Sequence, residues 1–143
     1  MRGIALLTLG VSLTSACVYT GATLMNSTAS RPAICPEAVQ LFTGADRVPG
    51  EYEEVAVLSS HGDAEMTSDE GMLKSQRKKA AQLGANGLIL GERKEPSTGT
   101  KLAHDLLGTS AERKGKATAI FLPADSTRVR DTCAGVAGGG QRT

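Results

Sequence analysis

The sequence predicts an α+β fold: a small sheet of about four strands with one main helix packed on a face, in the order β-β-α-β-(short α)-β. Three observations predict it. Residues 52–60 (YEEVAVLSS) alternate at the strand period, with Val55 and Val57 on one face and Tyr52, Ala56 and Leu58 on the other. Residues 67–83 carry a helix start, an apolar stripe at three- and four-residue spacing, and a glycine stop. Leu88-Ile89-Leu90 then follows almost at once, an unbroken apolar run between glycines that suits a central strand.

Taken in order, the chain opens on residues 1–16, which have the layout of a signal peptide: Arg2, an apolar middle, then small residues. The apolar run is too short for a membrane span, which needs roughly 20 residues. Residues 17–32 are rich in Thr, Ser and Ala and read as a flexible tether. The domain occupies residues 33–123. Within it, residues 38–42 form a short strand, and 43–50 hold the turn residues Gly44, Asp46, Pro49 and Gly50. After the strand at 52–60, residues 60–63 turn the chain toward the helix.

That helix has capping-box spacing at Thr67 and Glu70, where a hydroxyl and a carboxylate satisfy early backbone N–H groups. Asp69 and Glu70 at its start, and Lys74, Arg77, Lys78 and Lys79 further on, complement the helix dipole. Gly84 stands where a left-handed residue ends the helix. Residues 101–107 have short-helix spacing within a polar excursion, and 117–122 form the last strand, stopped by Pro123. Residues 124–143 read as a disordered Gly-rich tail.

Composition narrows the function classes. A formal net charge of +1 argues against nucleic acid as a partner, because such affinity comes from neutralising phosphates. With two Phe, two Tyr and no Trp, the core must be built from aliphatic side chains. No phosphate loop is present, since Gly84-Ala85-Asn86-Gly87 follows a helix instead of preceding one. No residue pattern implies a cofactor.

Candidate chemistry is sparse. Cys17, Cys35 and Cys133 show no CxxC spacing and so no zinc site. Cys35 and Cys133 flank the domain, and in an oxidising compartment they either form a disulfide or leave Cys133 unpaired in the tail. His61, Asp63 and Glu65 alternate in a way that would aim three metal ligands to one side of an extended chain, with His104 as a distant fourth. The same residues are ordinary in a polar turn. Ser59 or Ser60 beside His61 lacks the G-x-S-x-G elbow of a serine hydrolase. The lysines and arginines at 74–79, 93–94 and 113–116 either gather into a basic face for anionic headgroups or an acidic partner, or are a solvated helix face.

Thr14-Ser15-Ala16-Cys17 reads two ways. Small residues at Thr14 and Ala16 suit ordinary signal-peptidase cleavage and a periplasmic or secreted chain. Leu13 and Cys17 resemble the lipobox of bacterial lipoproteins, which prefers Leu where Thr14 stands. That resemblance implies diacylglycerol and an N-acyl chain (palmitate chemistry) on Cys17, with the membrane as partner through the lipid anchor. Val18 as the next residue implies the outer membrane.

Residues 76–89 also resemble the R-K-x-A-x-x-x-G-A-N signature of small bacterial envelope domains, here Arg77, Lys78, Ala80, Gly84, Ala85 and Asn86. The group includes the lipoprotein stress sensor of the Rcs phosphorelay, uncharacterised lipoprotein families and the YbjQ-type fold. The resemblance implies a fold and carries no catalytic residue. The expectation is a non-enzymatic envelope lipoprotein, a binding or stress-sensing module with an envelope protein partner. The alternative is a periplasmic module for a small ligand or a metal.

Overall fold

The computed structural model describes residues 18–25, 30–63, 67–94 and 112–139. Five strands form one mixed sheet: β1 (Tyr19–Leu24), β2 (Gln40–Phe42), β3 (Glu53–Asp63), β4 (Gly87–Lys94) and β5 (Glu112–Phe121). Their spatial order is β1-β3-β5-β4-β2. Only β2 with β4 is a parallel pair; the other three neighbours run antiparallel. Helix α1 (Asp69–Gln82) packs on one face, and α2 (Ser126–Gly139) follows β5 after a single 3-10 turn. The α+β class and the main helix thus match the sequence reading, with one strand more.

Two whole elements differ from that reading. The stretch read as tether supplies β1, whose residues pair with β3 from Tyr19 opposite His61 to Leu24 opposite Ala56. Alternating Thr and small residues there suit an edge strand, where polarity on both faces hides the period. The stretch read as disordered tail supplies α2, which buries no residue of its own and is fastened by other means. Its glycines hide a helix that local propensity alone does not favour. The short helix at 101–107 lies outside the described residues.

The α1-facing side of the sheet is built from small residues. Ala56, Leu58, Ala117, Ala119 and Leu88 meet Ala80 and Ala81 of the helix, all buried. Small side chains on both sides bring the helix close to the sheet. A second cluster, Phe42, Ile120 and Leu122 with Val48, Tyr52 and Ile89, sits on the opposite face under the β2–β3 connection. The register of β3 shifts between Glu54 and Ala56. That bulge sends Val55 into the helix-side cluster while Val57 faces the other way, so the two valines do not share a face as simple alternation predicts. Residues 61–63 continue β3 instead of turning, because Gly62 and Asp63 stay paired with Arg113 and Glu112.

The helix cap moves by one residue. Ser68, not Thr67, is extended and accepts from the Gly71 N–H at 3.0 Å. Thr67 is buried, with its N–H bonded to the Asp63 carbonyl at 2.9 Å and its carbonyl to Arg113 at 2.6 Å. Glu70 therefore sits at the second helical position, where with Asp69 it still faces the positive end of the dipole.

Candidate functional site

The signature segment is best understood at the α1–β4 junction. Gly84 has φ +71°, its N–H bonds the Ala81 carbonyl, and the Ala85 N–H bonds the Ala80 carbonyl, each at 3.0 Å. Those two bonds are a Schellman motif, which satisfies the last helical carbonyls. Ala85 is buried against the core. The Asn86 side chain is 1% exposed and both of its polar atoms are satisfied: Nδ2 donates to the Leu122 carbonyl at 2.9 Å, and Oδ1 accepts from the Leu122 N–H at 2.7 Å. Asn86 thereby extends the β4–β5 ladder past the end of β5. At Gly87 an added Cβ would come within 2.7 Å of Ile120 and 2.9 Å of Leu122, so the second cluster packs directly on its backbone. Arg77 donates through Nε to the Val39 carbonyl at 3.1 Å and ties α1 to the chain entering β2. These residues are spent on the fold.

The predicted chemical groups are dispersed by the sheet. Ser60 is buried on the α1 side, where its hydroxyl lies 3.0 Å from Thr20 Oγ1, itself 2.7 Å from Ser75 Oγ. This hydroxyl chain joins β1, β3 and α1. His61, the next residue, faces the other side, so Ser60 and His61 form no nucleophile–base pair. Asp63 shares the His61 face, and Glu65 and His104 lie outside the described residues. His61 Nδ1 instead lies 3.1 Å from Glu112 Oε1, whose other oxygen is 3.0 Å from Lys114 Nζ. The Lys114 hydrogen bond, opposed by desolvation and helped by the Lys114 and His61 charges, holds the Glu112 carboxyl below its ordinary value. Among the described residues no group of three or more His, Cys, Asp or Glu is placed to hold a metal ion.

The basic residues split between two surfaces. Lys74, Arg77 and Lys78 border an open groove of about 480 Å³ between α1 and the chain entering β2, floored by Leu41 and Leu73. Lys114 and Lys116 project from the opposite face of the sheet, and Arg113 turns back to Thr67 and Asp69 at the start of α1. A smaller cleft of about 260 Å³ lies beside α2, lined by Ile34, Phe121 and Val129, with Arg31 stacked 4.6 Å over the Phe121 ring.

Cys35 and Cys133 are joined as a disulfide, 98 residues apart in sequence. Together with Arg128, which bonds Asp125 and the Ala38 carbonyl, the bridge fastens α2 to the turn before β2. Cys17 lies outside the described residues. One grouping has no sequence signal, because strand order creates it: Tyr19, His61, Lys114 and Lys94 are successive register partners across β1, β3, β5 and β4.

No protein-family model and no curated protein matches the chain. Among solved structures it is similar to the crystal structure of a Francisella virulence factor, FvfA, in the orthorhombic form. The two are 15% identical with a TM-score of 0.50, over 71% of this chain and 96% of the other. At that identity the likeness is one of fold.

Proposed function

We propose that this chain is a lipid-anchored module of the bacterial cell envelope, held through Cys17 in the outer membrane, that binds or senses an envelope partner without catalysing a reaction. The observation that carries the proposal is the Cys35–Cys133 disulfide. Structural disulfides persist in oxidising compartments, the side of the inner membrane to which a leader such as residues 1–16 delivers. No helix among the described residues is long and apolar enough to cross a membrane. Several acyl chains together anchor stably where one does not. A binding role is favoured over catalysis because the serine hydroxyl nearest His61 in sequence is tied into the Thr20–Ser75 chain across the sheet.

Metabolic labelling with a palmitate analogue tests the anchor. Wild type should take up label and fractionate with outer membranes, and Cys17→Ala should lose both properties. Equal labelling of the two proteins would end the lipoprotein reading. Crosslinking in intact cells, followed by pull-down, then identifies the partner.

A further inference from the structure

This inference rests on the lipid-anchored reading and adds where the domain would sit. We propose that the anchor-proximal end of the sheet, the row Tyr19, His61, Lys114 and Lys94, rests on anionic headgroups of the leaflet that holds the acyl chains.

Tyr19, the first residue of β1, is two positions beyond Cys17. Two fully extended residues span at most about 7 Å. The headgroup layer of one leaflet is about as deep, roughly 5–7 Å. Val18 offers no slack, since its Cγ2 lies 4.0 Å from where a Cβ at Gly71 would stand, against the first turn of α1. A Cys17 embedded by its acyl chains therefore brings the start of β1 to the bilayer.

Opposed residues in a ladder share a face. Tyr19 pairs with His61, His61 with Lys114, and Lys114 with Lys94, so all four project from the face away from α1, at the same height on the sheet. Tyr19 is 72% exposed, although an aromatic ring of that size usually finds cover. Interfacial layers favour tyrosine, and lysines beside them gain from anionic lipid. Asp63 and Glu112 pair in the next row on the same face, on the anchor side of this one. Glu112 is held between Lys114 and His61, which limits its repulsion of headgroups.

From Lys114 the seven remaining residues of β5 run away from the bilayer, about 23 Å at strand rise. Beyond them come Ala124, α2 and the disulfide, on the far side of the domain.

The test uses the full-length chain made in a bacterial host, with p-benzoylphenylalanine in place of Tyr19 or, separately, of exposed Ala124. Acylation is read by mass spectrometry. The protein is reconstituted into phosphatidylethanolamine vesicles containing one quarter phosphatidylglycerol, irradiated, and assayed for phospholipid adducts. The expected result is a strong adduct at position 19 and little at 124. Lys94→Gln with Lys114→Gln should lower the position-19 yield about twofold in these vesicles, and not in phosphatidylcholine. Acylated, vesicle-bound protein with equal or no adducts at the two positions overturns the proposal and leaves the lipid anchor standing. An unchanged yield from the double variant removes the lysines from the surface. Protein carrying no acyl chain on Cys17 takes down the anchor reading, and this proposal with it.

Discussion

Asn86 and Leu122 exchange two hydrogen bonds, amide to carbonyl at 2.9 Å and N–H to side-chain oxygen at 2.7 Å, although they are 36 residues apart. A side chain here does the work of a backbone partner at the point where β5 ends. Asn86→Ala leaves the buried Leu122 N–H unpaired and its carbonyl with the Asp125 N–H alone, and should cost about 1–3 kcal/mol by urea denaturation. Asn86→Asp keeps the acceptor but places a carboxylate against the Leu122 carbonyl, and should also destabilise. A loss under 1 kcal/mol, roughly that of an exposed hydrogen bond, would mean that Leu122 is satisfied otherwise.

Two glycines separate conformational cost from steric cost. Gly50 (φ +79°) has nothing within 4 Å of an added Cβ, whereas at Gly84 (φ +71°) that atom would collide with the Arg31 Cβ and meet the Pro32 carbonyl at 2.7 Å. Gly50→Ala should cost about 1 kcal/mol, the left-handed penalty alone. Gly84→Ala should cost clearly more, because the chain from Arg31 must also shift. Equal losses in thermal melts would show that residues 31–32 yield freely.

The displaced cap gives a sharp comparison. Ser68→Ala removes the acceptor for the Gly71 N–H and should lower stability by about 1 kcal/mol. Ser68→Asp should restore it, since a carboxylate both caps and faces the dipole. Failure of the aspartate to rescue would argue that Ser68 acts by something other than capping.

Breaking the Cys35–Cys133 bond should cost about 2–4 kcal/mol, by the usual effect of closing a long loop. The loss should be felt first in α2, which buries none of its own residues. Hydrogen exchange on a Cys35→Ser/Cys133→Ser variant should show α2 amides deprotected while the β3–β5 amides stay slow. Uniform acceleration would instead mean that the bridge supports the whole sheet.

Acid titration of Glu112 reports the His61–Glu112–Lys114 cluster. Its carboxyl is held below the ordinary value of 4.5, so the native state binds fewer protons than the unfolded chain. The associated stability is present above that value and drains as pH falls through the lowered midpoint. In carbon-detected NMR, the Glu112 midpoint should fall below 4.5 in wild type and climb toward it in Lys114→Gln. An unmoved midpoint would show that Lys114 is not the cause.

What was legible in the sequence was local. The α1 stripe, its Gly84 stop and the apolar run at Leu88 are written in periods of four residues or fewer, and they stand where the pattern puts them. The cap falls one residue later because Thr67 and Ser68 are both good acceptors, and burial of Thr67 under Arg113 decides between them. β1 and α2 escape the local pattern for one physical reason. Each has weak intrinsic preference and is held by partners far along the chain, β3 in one case and Cys35 in the other. The Tyr19–Lys94 row was beyond reach, since it exists only once the strand order is known.

The bridge between Cys35 and Cys133 encloses nearly the whole folded unit within one covalent ring. A protease that severs a single peptide bond anywhere inside that ring yields two fragments that travel as one on a non-reducing gel and part only with a thiol. While the bond stays oxidised, one nick need not release either half.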